Sequence, residues 1–261
     1  MQQGHAWLHR LRSAARTALT VLYPWRCLNC SACLPSDRAF CLKCQGWIQI
    51  VHSPLCTRCG RPFASGVGPD HVCPQCVQQP PGFRSARAWA AYSTSSGSPQ
   101  PLRQSILRFK YGRNMRAGKV LAGLTARHFS CAQDQDAGPA EDYDRVIPVP
   151  LHLTRLRWRG FNQSLILARG VGLGINTPVD PWLLGRTRPT QPQTKLSRED
   201  RRANVRGAFR VHTPALAKGK RLLLVDDVYT SGATVEECAR TLYQNGARSV
   251  DVFTLARVVD L

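Results

Sequence analysis

Leu222-Leu223-Leu224-Val225-Asp226-Asp227-Val228-Tyr229-Thr230-Ser231-Gly232-Ala233-Thr234 decides the fold of this 261-residue chain. Four consecutive aliphatic residues suit a strand buried on both faces, as in a parallel sheet. Two carboxylates follow at its carboxyl end, the edge where open α/β sheets bind ligands. Gly232 lets the backbone approach an oxyanion closely, and the amides that open the next helix form an anion nest. Thr230, Ser231 and Thr234 add hydroxyl donors. Carboxylates do not bind phosphate at short range, but Asp226 and Asp227 can accept hydrogen bonds from the vicinal hydroxyls of a ribose whose 5-phosphate sits in the loop. A helix cap or a Mg2+ site is the plainer reading of the acid pair. The order of strand, Asp-Asp, hydroxyl-glycine loop and helix favours the sugar phosphate. Other phosphate motifs fit poorly: there is no Gly-x4-Gly-Lys-Ser/Thr, and Gly170-x-Gly172-x-Gly174 lacks the dinucleotide spacing and falls late in a helix.

On either side of this stretch, residues 101–261 alternate helical and strand patterns, which predicts an α/β fold with a parallel sheet and crossover helices. Leu102, Ile106, Leu107 and Phe109 share a short helix; Val120, Leu121, Leu124 and Phe129 share a second. Strands are expected at 143–149, 221–225 and 249–256, and helices at 162–173 and 233–244, the last stopped by Gly246. Residues 81–100 read as a link holding one strand, 86–92. The expected divisions are a basic amphipathic helix over 1–26, a cysteine module over 27–80 and the α/β domain over 81–261.

Nine of the eleven cysteines fall within residues 27–76. Clustering of this kind, with an odd count and no secretory leader pattern, points to metal in a reducing cytoplasm, not to disulfides. Cys27-x2-Cys30 and Cys41-x2-Cys44 form one set; Cys56-x2-Cys59 and Cys73-x2-Cys76 form another. Each Cys-x2-Cys knuckle presents two thiolates on one side, and two knuckles complete a tetrahedral S4 site suited to structural Zn2+. Gly60 eases the tight backbone after Cys59. The spacing allows one or two zinc sites: Cys33 competes within the first set, and interleaved pairing between the sets stays open. Cys131 and Cys238 read as small core residues.

The formal charge is +20, and residues 145–210 carry 13 Lys/Arg against 3 Asp/Glu. Such an excess favours polyanionic partners. Arg155, Arg157 and Arg159 follow the Pro148-Val149-Pro150 turn, where they either hold an anion or form a solvated face. No apolar run approaches the roughly 20 residues of a membrane span. The N-terminal helix, with Trp7, Leu8, Leu11 and Leu19 among arginines, suits packing on its own domain better than lying on a membrane.

Taken in order, the cysteine knuckles, Phe109-Lys110-Tyr111, Val146-Ile147-Pro148-Val149-Pro150, Arg159-Gly160-Phe161-Asn162-Gln163 and the acid-pair loop resemble the ComF family, the competence-protein-F and GntX-like proteins of bacteria. The likeness runs from about Tyr23 to Val258. The loop is similar to the phosphoribosyl pyrophosphate (PRPP) loop of type I phosphoribosyltransferases, with Ser231 where many members have Thr. This resemblance implies a type I phosphoribosyltransferase fold with an N-terminal zinc-ribbon-like module. It implies Asp226 and Asp227 as the catalytic pair that orients the ribose. PRPP contacts would come from Tyr229, Thr230, Ser231, Gly232, Ala233, Thr234, Val149, Pro150, Arg159 and Lys195, with Lys110 as a further pyrophosphate contact. Mg2+ would arrive with PRPP. A loop over 187–196 would close over the sugar, followed by a short helix capped by Ser197 and carrying Arg198, Arg201, Arg202 and Asn204. The implied function is phosphoribosyl transfer to an acceptor that no residue names, linked to competence and DNA uptake. The alternative is a non-catalytic factor that binds single-stranded DNA, and other competence or DNA-uptake proteins are implied partners.

Overall fold

A computed structural model describes residues 24–35, 38–93, 97, 99–112, 114–135, 143–190 and 198–259. Its strands are β1 (Trp25–Arg26), β2 (Cys33–Leu34), β3 (Gln49–Ile50), β4 (Ala86–Tyr92), β5 (Arg145–Pro148), β6 (Leu184–Arg186), β7 (Phe209–Val211), β8 (Arg221–Tyr229) and β9 (Ser249–Val258). The helices are α1 (Leu42–Gln45), α2 (Pro74–Gln78), α3 (Pro101–Tyr111), α4 (Met115–Gln135), α5 (Leu153–Arg159), α6 (Gln163–Gly174), α7 (Arg198–Val205) and α8 (Ala233–Gln244). Of the expected N-terminal helix, residues 1–23 lie outside the described residues, and Trp25–Arg26 at its end is a strand paired with β2.

Five strands form the main sheet in the order β3-β4-β9-β8-β5. β4, β9, β8 and β5 are parallel, whereas β3 adds antiparallel at the edge. The sheet is therefore mixed, and its antiparallel strand comes from the cysteine module. Strand alternation sorts β8 between two cores. Leu223 and Val225 face Phe109, Leu121, Leu167 and Val171 of α3, α4 and α6. Leu222 and Leu224 face Cys238, Ala239 and Leu242 of α8. Each such leucine contributes about 2 kcal/mol on burial. The first core also takes in Cys27, Leu34, Phe40 and Cys44 beside Trp89, so the first cysteine set shares its apolar interior with the sheet.

Two details place the site. β8 runs four residues past its expected end because β9 keeps pairing with it as far as Tyr229↔Arg257. Its other neighbour, β5, stops at Pro148 opposite Val225. Asp226 and Asp227 therefore lie inside a strand whose β5 side has been vacated, and a cleft opens there. Gly170 has a packing role, as a Cβ on it would meet the Ala122 carbonyl oxygen of α4 at 2.5 Å. The glycine run late in α6 lets two helices approach; it cradles no phosphate.

Candidate functional site

The cleft is a cavity of about 670 Å3 at the carboxyl end of the sheet. Asp226, Asp227, Tyr229, Thr230, Ser231, Gly232, Thr234, Val149, Pro150 and Arg159 all line it. Ala233 is buried behind that surface, and Lys195 lies outside the described residues. Among the lining residues are nine Lys/Arg against three Asp/Glu.

The acid pair is asymmetric. Asp227 is buried, and its Oδ1 accepts from Lys110 Nζ at 2.9 Å. Its Oδ2 is buried without a partner. Asp226 Oδ1 accepts from Ser164 Oγ and from its neighbour's backbone N–H, both at 2.8 Å. Burial, and then the adjacent Asp227 charge, push the Asp226 carboxyl up to about 7 against the help of Ser164 and Lys110. Burial works against the Lys110 ammonium, but Asp227 outweighs it and the pKa rises. Lys110, expected as a pyrophosphate contact, here meets Asp227.

The loop after β8 turns at Gly232, whose φ of 81° a side chain rarely adopts. A Cβ there would also sit 2.3 Å from Tyr229 Oη. Tyr229 thus packs beneath the loop, edge-on to Phe83 with ring centroids 6.4 Å apart and 4.8 Å below the Arg257 guanidinium. Ser231 Oγ accepts from the Ala233 amide at 3.4 Å.

Residues 159–163 form a brace on the opposite wall. Arg159 Nη1 donates to Gln163 Oε1 at 2.6 Å, and its guanidinium lies 5.5 Å over the Tyr111 ring. Gly160 ends α5 at φ 85°. Phe161 stacks on Phe109 at 5.3 Å. Asn162 caps α6 through the Ser164 amide at 3.0 Å and ties Val149 by donating to its carbonyl at 3.1 Å. Arg155 donates to the Thr190 carbonyl at 3.3 Å, which joins this wall to the start of the segment expected to close. Residues 191–197 of that segment, with Ser197, lie outside the described residues, whereas Arg201 and Arg202 of α7 line the cavity. Sequence reasoning missed Ser164, Arg186, Arg257, Tyr92 and Arg103, which also line it. Ser164 follows directly on the quoted 159–163 stretch; the others carry no local pattern.

Cys27, Cys30, Cys41 and Cys44 gather into one tetrad and Cys56, Cys59, Cys73 and Cys76 into another, with all four sulfurs of each within 4.8 Å of one another. Each set closes on itself, so the interleaved pairing does not form, and Cys33 is exposed outside the first tetrad. Tetrahedral zinc with Zn–S of ~2.3 Å needs sulfurs about 3.8 Å apart. Cys30–Cys41 at 3.6 Å and Cys59–Cys73 at 3.9 Å fit that spacing. In the second set Cys56 Sγ accepts from the amides of Cys59 at 3.4 Å and Cys73 at 3.3 Å. Burial opposes the Cys56 thiolate, but these amides outweigh it and lower its pKa to about 6. A donor set closed with four sulfurs suits structural Zn2+. Gly60, at φ +70°, passes so close to β4 that a Cβ would meet the Ala86 carbonyl oxygen at 2.2 Å.

Residues 18–77 match the family described as a double zinc ribbon domain. DNA utilization protein YhgH of Escherichia coli O157:H7 is 34% identical over 205 residues, covering 78% of this chain and 85% of its own. Competence protein F of Haemophilus influenzae is 28% identical over 83% of this chain and 96% of its own. Competence protein ComFC of Bacillus subtilis is 24% identical over 89% of each chain. An adenine phosphoribosyltransferase from Thermoanaerobacter pseudethanolicus overlaps 56% of this chain and 82% of its own at 12% identity, with a TM-score of 0.33. The continuous strand-and-loop topology, the paired cysteine tetrads and relatives aligned over most of the chain lead to one assignment: this chain belongs to the ComF family, an α/β domain with a mixed five-stranded sheet joined to a double zinc ribbon.

Proposed function

We propose that the chain binds PRPP with Mg2+ in the cavity beyond β8 and transfers its phosphoribosyl group to an acceptor, releasing pyrophosphate. The observation that carries this reading is the buried, unpartnered Oδ2 of Asp227, held in place by the Lys110 contact to Oδ1. A buried acceptor oxygen without a donor is costly, and a ribose hydroxyl arriving in the cleft supplies that donor. The 5-phosphate fits the amides and hydroxyls from Thr230 to Thr234 at the start of α8. Pro150, Arg155, Arg159 and Arg186 also line the cavity, and their cations would offset the charge of the pyrophosphate. Bound with PRPP, Mg2+ would neutralise pyrophosphate charge while keeping mostly water and substrate oxygens as ligands. Asp226 and Asp227 orient the ribose and offset positive charge growing at its anomeric carbon. In a thermal shift assay, PRPP with Mg2+ should raise the Tm, and Asp227→Ala should abolish the response. No shift in the parent protein, or an undiminished one in the variant, removes the basis for this reading.

A second reading is single-stranded DNA binding. It draws on the DNA utilization and competence names of the relatives and on Tyr111 and Trp158, each 57% exposed and edge-to-face at 6.1 Å beside Arg159. Exposed rings amid cations offer stacking platforms. Binding should weaken steeply with salt and compete with PRPP; salt-insensitive or absent binding leaves the metabolite reading alone.

A further inference from the structure

We infer that the second zinc ribbon walls the acceptor end of this cavity, and that this end selects an acceptor carrying a negative charge. The inference rests on the PRPP reading above. In the transfer, the bond from the anomeric carbon to pyrophosphate breaks and its electron pair departs on the pyrophosphate oxygen. A lone pair of the acceptor forms the new bond from the opposite face, and any proton on the attacking atom passes to solvent. Pyrophosphate belongs at the β5 end of the sheet and ribose at the end of β8. Opposite-face attack therefore brings the acceptor in from the far side, over β9 and β4.

The lining on that side includes Tyr92 at the end of β4 and Arg103 of α3, and the ribbon adds Arg61 and Gln75 to the same cavity. Two of the cations are uncommitted. Lys110 is occupied by Asp227 and Arg202 by Glu236 at 3.5 Å, whereas among the described residues neither Arg61 nor Arg103 has a carboxylate partner. Burial raises the Tyr92 pKa and keeps its hydroxyl a protonated donor, against the nearby positive charges of Lys110 and Arg103. Two free guanidiniums, a phenol and an amide lining one cavity suit a carboxylate- or phosphate-bearing acceptor better than a neutral one.

The ribbon is also held firmly enough to act as a wall. Arg257 donates to the Cys59 carbonyl, Arg87 Nη1 to the Thr57 carbonyl at 3.2 Å, and the Ala86 amide to the Arg58 carbonyl at 2.7 Å. Arg61 follows Cys59 by two residues, so the zinc knuckle sets where its side chain starts.

The experiment is calorimetric binding of matched probes to the full chain loaded with PRPP and Mg2+: nicotinate against nicotinamide, and orotate against uracil. Each pair differs by a carboxylate or its neutral counterpart. At least one acid should bind about tenfold or more tightly than its neutral partner. Arg61→Gln and Arg103→Gln should each erase most of that preference while leaving the PRPP-induced Tm shift intact. Equal binding within both pairs, binding of none of the four, or variants that lose the PRPP shift instead of the acid preference would overturn the inference while PRPP binding stands. A parent protein that ignores PRPP overturns the proposed function, and this inference with it.

Discussion

Asp226 and Asp227 are adjacent in one strand, yet they meet different electrostatic conditions. Asp227 has the Lys110 ammonium against one oxygen; Asp226 has a serine hydroxyl, an amide and a like charge. The raised pKa of Asp226 means the folded state holds its proton more tightly than the unfolded chain does. Stability from this group is present below its ordinary pKa of 3.8 and is lost as pH climbs through about 7. Asp226→Asn should accordingly flatten the stability profile between pH 4 and 7 and leave the protein more stable than the parent at pH 8, as read by urea unfolding across pH. Asp227→Asn acts in the opposite sense. It strands a largely buried ammonium, so unfolding free energy at neutral pH should fall by about 3 kcal/mol; an unchanged denaturation midpoint would mean Lys110 finds another partner. At this scale the acid pair was legible from residue type and order alone. The Lys110 contact was not, because 117 positions separate the partners in sequence and only packing of α3 against β8 joins them.

Short elements were well marked by local chemistry. Gly232 and Gly246 bracket α8 at positive φ, and Asn162 begins α6 as a side-chain cap; all three effects act within a few residues. Strand length was less well marked. The end of β8 depends on β9 continuing beside it and β5 stopping, and neither is written in residues 221–229. In the loop before α8, Gly232→Ala must hold an alanine at φ 81° against Tyr229. It should cost about 1–2 kcal/mol and eliminate the PRPP-dependent Tm shift, which paired melts with and without PRPP would measure. Retention of the full shift would show that the loop tolerates a Cβ and does not depend on this close approach.

Across the molecule, the double zinc ribbon and the α/β domain share structure. β3 joins the main sheet, first-ribbon side chains pack into its core, and second-ribbon carbonyls receive Arg87 and Arg257. Chelating zinc should therefore lower the Tm of the whole chain in one cooperative transition. Calorimetry that instead shows a domain melting at its original temperature after zinc removal would refute this coupling. No helix among the described residues is long and apolar enough to cross a membrane. By itself the sequence determined the four cysteine knuckles, the loop after β8 and most helices, because knuckle spacing, glycine conformation and 3.6-residue periodicity are local properties of the chain. Only the tertiary structure decided which cysteines share a site, which cation neutralises Asp227, and that a zinc ribbon forms part of the wall around the acid-pair loop. Those outcomes depend on contacts between distant segments, and their free energy appears only once the sheet has brought those segments together.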